Sequence, residues 1–305
     1  MEVLKIENVS KNINNKKIIN NISLNVKEGE ICGLLGPNGS GKTTIIKMIV
    51  GLLTPDSGNI YVCSNTIKKE RKKYISNIGT IVETPEMYTY LSGIENLRQL
   101  ARLDKNISDD DILKALEITG LKDRMYDKFK TYSLGMKQRL GLAQVIMGEK
   151  KLWVLDEPTN GLDANGIIEF RELLKNSAKK NNISILISSH ILSEIEVLCN
   201  KIVFINNGEV KSIENIKNID NDYETFQIET TESEKYNNII NKFDFIKEIT
   251  INKNYVDITI NKNCYYKLTK LLISNNLVFD KIIPKNKTLE KRYLEVIRND
   301  SNNKK

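Results

Sequence analysis

An eight-residue run, G-P-N-G-S-G-K-T at residues 36–43, has the residue types that bind phosphate. An apolar segment typical of a buried parallel strand precedes it, and residues 44–50 have helical apolar spacing. Glycines let successive backbone N–H groups turn toward one centre, where a helix N-terminus adds positive potential. We expect Lys42 to reach the β- and γ-phosphates of a nucleoside triphosphate and Thr43 to be a ligand of Mg²⁺. The predicted phosphate-binding residues are Gly36, Pro37, Asn38, Gly39, Ser40, Gly41, Lys42, Thr43 and Thr44.

A pair of acidic residues ends a second apolar segment, residues 151–155. Asp156 is placed to hold Mg²⁺ opposite Thr43, and Glu157 can accept a proton from an attacking water. Paired acids after a strand are also common as plain surface residues. The phosphate-binding loop upstream and the sequence P-T-N-G-L-D at 158–163 favour the catalytic interpretation.

The only histidine, His190, follows a third apolar segment, residues 183–187. A lone histidine is usually structural or merely exposed. The carboxyl ends of strands in open α/β sheets are, however, where ligands bind. We therefore expect His190 to hydrogen-bond the γ-phosphate and to hold the attacking water.

Length and composition set the limits for the rest of the chain. At 305 residues with 40% hydrophobic content, two folded domains are expected. The formal charge of +7 comes partly from lysine-rich stretches such as residues 68–73. No nucleic-acid-binding motif accompanies that charge, so we expect a solvated face or one near anionic lipid headgroups, and no nucleic-acid partner.

Neither a membrane span nor a secretory signal is expected. The apolar runs are too short to cross a bilayer, and Glu2 and Lys5 interrupt the first residues. We expect a cytoplasmic protein whose membrane role depends on a partner. The cysteines lie far apart without a C-x-x-C pair, which argues against disulfides and metal binding: Cys32, Cys63, Cys199 and Cys264.

The order of apolar segments predicts two domains. Strands alternating with helices over residues 1–215 indicate an α/β domain with a mostly parallel sheet and a helical subdomain at about 87–140. Within the subdomain, Ser92 with Glu95 and Ser108 with Asp111 are typical of capping boxes that begin helices.

Residues 216–305 predict a small α+β domain. The order β-α-β-β-α-β favours a ferredoxin-like unit. Its predicted segments are strand 223–230, helix 232–243, strands 246–252 and 255–260, helix 265–275, strand 277–283 and a final helix 289–297.

The sequence Y-S-L-G-M-K-Q-R at residues 132–139 completes the set of motifs. Together they resemble the ATP-binding subunits of ABC transporters, P-loop NTPases, over residues 1–215. In that family this signature segment of one subunit closes over ATP held by the phosphate-binding loop of another. The resemblance implies that Ser133 and the Gly135 backbone N–H donate to the γ-phosphate. It also places Asp163 in the loop that couples the two sites and matches His190 to the switch histidine.

The resemblance further implies ATP and Mg²⁺ as cofactors, a second copy of the chain as partner, and integral membrane permease subunits. The chain would then lie at the cytoplasmic face of the membrane. Translation-associated members of the family carry two ATPase units and repair members a long coiled coil, and this sequence has neither. A soluble, non-transport ABC ATPase and a regulatory module whose C-terminal unit senses a ligand are the remaining alternatives.

Three departures from the family pattern are informative. Leu134 and Met136 replace a glycine and a glutamine of the common signature, whereas the donors at Ser133 and Gly135 remain. Ile13 aligns where an aromatic residue usually stacks on adenine, so base selectivity is expected to be loose and GTP use stays open.

The third departure is Glu83, which occupies the position of the usual Q-loop glutamine. We expect its carboxylate to touch Mg²⁺ and the attacking water, and a surface glutamate is the alternative. Three features resemble the ATPase subunits of bacitracin-resistance and lantibiotic self-protection exporters. They are this glutamate, the signature sequence and a C-terminal extension ending like residues 287–297. This narrower resemblance implies export of a peptide antibiotic. The cargo, its direction and the membrane subunits are not encoded in recognisable residues of this chain.

Overall fold

The computed structural model describes residues 1–216, 223–240 and 243–284. The chain divides into two compact units, Met1–Glu214 and Asn215–Lys305. The described strands of the first unit are β1 (Glu2–Ile13), β2 (Lys16–Lys27), β3 (Ile31–Leu35), β4 (Ser57–Val62), β5 (Asn65–Thr66), β6 (Ile78–Ile81), β7 (Leu152–Asp156), β8 (Ser184–Ser189), β9 (Lys201–Asn206) and β10 (Glu209–Asn215), which ends at the boundary. Its helices are α1 (Lys42–Ile49), α2 (Ile67–Ser76), α3 (Gly93–Ala101), α4 (Asp109–Ile118), α5 (Leu134–Ile146), α6 (Ala164–Asn181) and α7 (Leu192–Leu198).

The central sheet of the first unit has the strand order β10-β9-β3-β8-β7-β6. Its neighbours from β9 to β6 pair in parallel. Every residue of β3, β7 and β8 is buried, which requires cover on both faces and explains why β3 and β7 are almost uninterrupted apolar runs. The predicted α/β architecture with a mostly parallel sheet is confirmed.

A second, antiparallel sheet in the same unit has the order β2-β1-β4-β5. The β1–β2 hairpin turns at Asn14 and Asn15, both with positive φ, as the tight turns of two-residue hairpins require. Apolar residues of β1, β2 and β4 form one core with α1 and with β3 and β7 of the central sheet.

The helices between β6 and β7 have their own core. Both expected capping boxes are present: Ser92 and Glu95 exchange hydrogen bonds at the start of α3, and Ser108 and Asp111 do so at the start of α4. Behind these caps, apolar side chains of α3, α4 and α5 pack together with Leu121 of the loop after α4, including Ile94, Leu97, Ile112, Ala115, Leu116 and Leu140. No helix among the described residues is both long and apolar enough to cross a membrane.

The described elements of the second unit are β11 (Tyr223–Glu229), α8 (Ser233–Ile240), β12 (Ile246–Ile251), β13 (Tyr255–Asn261), α9 (Tyr265–Ser274) and β14 (Lys281–Pro284). The sheet order is β12-β13-β11-β14, and the pairs are antiparallel. Alternate residues of β11 and β13 point into a core shared with α9, including Phe226, Ile228, Val256, Ile258, Ile260, Leu268 and Leu272. We propose to class this unit as ferredoxin-like, because its element order is β-α-β-β-α-β.

Two of the segments expected in this unit differ in the structure. The strand predicted at 277–283 begins only at Lys281, because Leu277 closes α9 instead: its N–H donates to the Leu272 carbonyl at 3.0 Å, after Asn276 turns with φ 50°. The helix predicted at 232–243 is Ser233–Ile240 among the described residues. The helix predicted at 289–297 lies outside the described residues.

We expect Tyr74→Phe to lower the free energy of unfolding of the first unit by about 1–2 kcal/mol. The Tyr74 side chain is buried and its hydroxyl donates to the Ile49 carbonyl at 2.6 Å, so the substitution leaves a buried acceptor without that donor. Urea unfolding followed by Trp153 fluorescence measures this, because Trp153 is the only tryptophan and lies in β7. Tyr90, whose side chain is exposed, provides the control. An equal loss of unfolding free energy in Tyr90→Phe would show that the hydrogen bond from Tyr74 to Ile49 is not the cause.

Candidate active site

Three parallel strands bring the candidate residues to one edge of the central sheet. The phosphate-binding loop follows β3, the acidic pair ends β7, and His190 follows β8. Because β8 pairs with both β3 and β7 in parallel, their carboxyl ends lie side by side.

The phosphate-binding loop is tightly packed at its base and exposed at its tip. A Cβ at Gly36 would overlap the Ile205 carbonyl, so only glycine fits there. Gly41 caps α1 with φ 109°, a conformation that glycine adopts without strain. Asn38 and Gly39 are exposed, whereas Thr43 and Thr44 are half-buried in the first turn of α1. The loop thus presents backbone N–H groups and a helix N-terminus at one surface, which suits an anion.

Lys42 lies beneath this loop. Its side chain is buried, and Nζ donates to the carbonyls of Gly36 at 2.9 Å and Pro37 at 3.3 Å. Nζ also lies 3.9 Å from Oε1 of Glu157. Burial lowers the pKa of Lys42, and the charges of Glu157 and Asp156 oppose that shift. Lys42 thus faces the acidic pair from beneath the loop.

The acidic pair is oriented by Ser188 of the neighbouring strand. The Ser188 hydroxyl donates to Oδ1 of the buried Asp156 at 2.5 Å and accepts from the Glu157 N–H at 2.9 Å. Glu157 has φ 45°, in the left-handed region, and strain of this kind clusters at functional sites. Ser188 was not predicted from the sequence, where its only sign was a pair of serines at the end of a strand.

The Glu157 carboxylate is the point where the three strand ends meet. Its Oε2 lies 3.1 Å from His190 Nδ1 and accepts from Asn160 Nδ2 at 2.8 Å, while its Oε1 faces Lys42. About a quarter of the Glu157 side chain is exposed (25%), so water has access to it. A carboxylate held in this way can act as a general base.

A buried glutamate, also missed by the sequence analysis, supports the loop after Glu157. Oε2 of Glu194 accepts from the Thr159 hydroxyl at 2.7 Å and from the Ser189 hydroxyl at 3.2 Å. This bridge fixes the loop at 158–163 to the residue before His190. In sequence, Glu194 looks like an ordinary surface residue of a short helix.

Glu83 lies outside this cluster in the structure. Its exposed carboxylate pairs with Lys47 of α1 at 2.7 Å, one helical turn beyond Thr43, and its φ is 61°. The contact of Glu83 with Mg²⁺ stays a prediction. Ile13 is partly exposed near the hairpin turn of β1, and its role at the base also stays a prediction.

Ser133 and Asp163 both cap helices on the exposed surface. The Ser133 hydroxyl accepts from the Met136 N–H at 3.2 Å at the start of α5, and Asp163 Oδ1 accepts from the Gly166 N–H at 2.8 Å at the start of α6. Gly135 is half-buried beside Leu162. Within the described residues, none of the hydrogen bonds of Ser133 or Asp163 reaches the phosphate-binding loop of the same chain.

Comparison with known proteins identifies the family. A family model described as ABC transporter matches residues 19–160. The uncharacterized ABC transporter ATP-binding protein YhcH of Bacillus subtilis (strain 168) is 42% identical, and the match covers 96% of this chain and 95% of that protein. This chain is an ABC transporter ATP-binding subunit.

Further relatives of this ABC subunit include two antibiotic-related proteins. The bacitracin transport ATP-binding protein BcrA of Bacillus licheniformis is 35% identical over 97% of each chain. The lantibiotic transport ATP-binding protein SrtF of Streptococcus pyogenes is 40% identical over 68% of this chain and 89% of its own.

A solved ATP-binding subunit of an ABC transporter is 29% identical, with a TM-score of 0.65, over 71% of this chain and 91% of that structure. The fold class expected from the phosphate-binding loop is therefore confirmed. The family consists of ATPases, so this ABC subunit is an enzyme that binds and hydrolyses ATP.

We expect Ser188→Ala to reduce ATP turnover roughly 10- to 100-fold, because misplacing a catalytic group by a fraction of an ångström is costly. ATP affinity should change little, since the phosphate-binding loop is left intact. Steady-state hydrolysis and calorimetric ATP binding measure the two effects. Ser184→Ala, at the other end of the same strand, is the matched control, and an equal loss of turnover in that variant would show that the fold alone was damaged.

Proposed function

We propose that this ATPase powers export of a peptide antibiotic, such as a lantibiotic or bacitracin, through separate permease subunits. It would do so at the cytoplasmic face of the membrane. The cluster of Lys42, Glu157 and His190 at the sheet edge carries the catalytic part of the proposal. The proposed cargo is supported by the relatives named for bacitracin and lantibiotic transport, one of which aligns over 97% of this chain.

In the proposed site, Lys42 binds the β- and γ-phosphates. The ammonium already lies under the loop, and phosphate oxygens are stronger partners for it than the two carbonyls that it contacts here. Backbone N–H groups of the loop surround the same anion. The glycines of the loop bring these donors together, because they let the backbone approach the phosphates closely.

Thr43 and Asp156 would hold Mg²⁺. A hydroxyl and a buried carboxylate are the hard oxygen ligands that this ion prefers, so the residues present fit it. The ion would neutralise charge on the phosphates when bound. Ser188 then has a positioning role, since its hydroxyl fixes the Asp156 carboxylate in one orientation.

Glu157 would act as the general base. Its carboxylate is partly exposed to water and held between Lys42 and His190, so it can take a proton from a water aligned with the γ-phosphate. The His190 side chain is 41% exposed and can turn its second ring nitrogen toward that phosphate.

The site is proposed to be completed by a second copy of the chain. Ser133, Gly135 and Asp163 lie at exposed helix N-termini, where donors and positive potential face outward. In a head-to-tail dimer, the Ser133 hydroxyl and the Gly135 N–H of one copy would donate to the γ-phosphate held by the other, and the loop with Asp163 would couple the two sites. Binding ATP would then join the copies, and loss of the γ-phosphate would weaken the interface.

We expect Glu157→Gln to bind ATP but to hydrolyse it at least about 100-fold more slowly, because the base is lost. The trapped ATP should produce a dimer on gel filtration with Mg²⁺ and ATP. Lys42→Ala added to this variant should restore the monomer. Undiminished turnover in Glu157→Gln would remove Glu157 from its role.

The cargo is tested in cells that depend on the transporter for survival on a peptide antibiotic. Expression of this chain with its permease subunits should raise the inhibitory concentration of a lantibiotic or of bacitracin, and Glu157→Gln should abolish that gain. Normal hydrolysis without any resistance would support a different cargo.

We expect Glu83→Gln to reduce turnover several-fold at limiting Mg²⁺, because a carboxylate is a stronger ligand for the ion than an amide. Hydrolysis rates over a range of Mg²⁺ concentrations measure this. Glu86→Gln removes an exposed charge from the same loop and serves as the control. Identical Mg²⁺ dependence in all three proteins would assign Glu83 no function beyond its ion pair with Lys47.

A further inference from the structure

Two leucines and two glycines interlock on the exposed surface of the first unit. The side chain of Leu134, at the start of α5, occupies the space beside Gly161: a Cβ at Gly161 would overlap its Cδ2 and lie 2.8 Å from its Cγ. In return, Leu162 packs against Gly135, with its Cδ2 3.6 Å from the position of a Cβ there. Each leucine is therefore seated on the glycine that neighbours the other leucine.

This interlock joins the signature segment, residues 132–139, to the loop at 158–163. One turn further along α5, Arg139 forms an ion pair with Glu169 of α6 at 2.7 Å, which continues the connection between the two helices. The two ends of the interlock carry the capping residues Ser133 and Asp163, both exposed. The groups proposed to face the partner copy thus belong to two chain segments held together by a small apolar contact.

Leu134 is the residue at which the sequence departs from the glycine of the common signature. A glycine there has no side chain to place on Gly161, so the interlock in this form depends on the substitution. The Leu134 side chain is 52% exposed, so burial in the core does not explain why an apolar residue occupies this position. Its side chain lies instead against Gly161.

We propose that Leu134 is a positioning residue that fixes the signature segment to the loop at 158–163. Ser133, Gly135 and Asp163 then approach the partner copy as one preformed surface. Ordering two segments before association reduces the entropy lost when the dimer forms. This inference rests on the proposed ATP-bound dimer and concerns how that dimer is prepared within each chain.

The test uses the full chain carrying Glu157→Gln, with dimer dissociation constants measured by analytical ultracentrifugation in Mg²⁺ and ATP. Adding Leu134→Ala should weaken dimerisation roughly tenfold or more, from the loss of a partly buried isobutyl group in each copy. Nucleotide affinity of the monomer should stay the same, because the phosphate-binding loop lies elsewhere. Leu134→Met, which keeps the volume, should restore most of the association.

A second variant separates positioning from direct contact with the partner. Gly161→Ala leaves Leu134 in the chain but fills the space in which its side chain lies, and it should weaken dimerisation as well. Gly161 has φ 82°, so alanine there also introduces backbone strain. Gly29→Ala is the control for that strain, because Gly29 has φ 69° and a Cβ there would meet only ordinary van der Waals contacts. Because the two sites touch, Leu134→Ala and Gly161→Ala should be non-additive when combined.

Turnover in the chain with an intact Glu157 gives an independent readout. For Leu134→Ala, activity should fall at low protein concentration and recover at high concentration, whereas a damaged fold would lower activity at every concentration. Additive effects of the two substitutions, or unchanged dimerisation in Leu134→Ala, would overturn the inference. If the Glu157→Gln parent itself stays monomeric with ATP, the proposed function fails first, and the two failures are distinguishable.

Discussion

The site depends on one carboxylate at the point where three strand ends meet. Glu157 at the end of β7 contacts His190 beyond β8 and faces Lys42 beyond β3. Parallel pairing makes this possible, because it aligns the carboxyl ends of adjacent strands at one edge. The two carboxylates favour the charged form of the buried lysine. The phosphate-binding loop, the Mg²⁺ ligands and the base therefore form one electrostatic unit.

The parts of this unit that could be predicted are those encoded by local sequence. Glycine spacing identified the loop around Lys42, and apolar runs ending in polar residues identified Glu157 and His190. The capping boxes of α3 and α4 were equally local and were correct. Burial on both faces of the central strands made those runs conspicuous.

What could not be predicted depends on pairs distant in sequence. Ser188 orients the acidic pair only because β8 lies beside β7, and Glu194 reaches Thr159 only once α7 has folded back. The ion pair of Glu83 with Lys47 places a predicted Mg²⁺ ligand away from the cluster. The start of β14 was misjudged for a local reason, because an apolar Leu277 closes α9 rather than opening a strand.

The central claim is that ATP bound by the loop of one chain is closed in by Ser133 of another. A mixing experiment in the Glu157→Gln background tests it directly, with one chain carrying Lys42→Ala and the other Ser133→Arg, each labelled for energy transfer. The account predicts that neither chain associates with itself in Mg²⁺ and ATP, while the mixture forms a heterodimer with one ATP. An ATP-bound homodimer of the Ser133→Arg chain would contradict it.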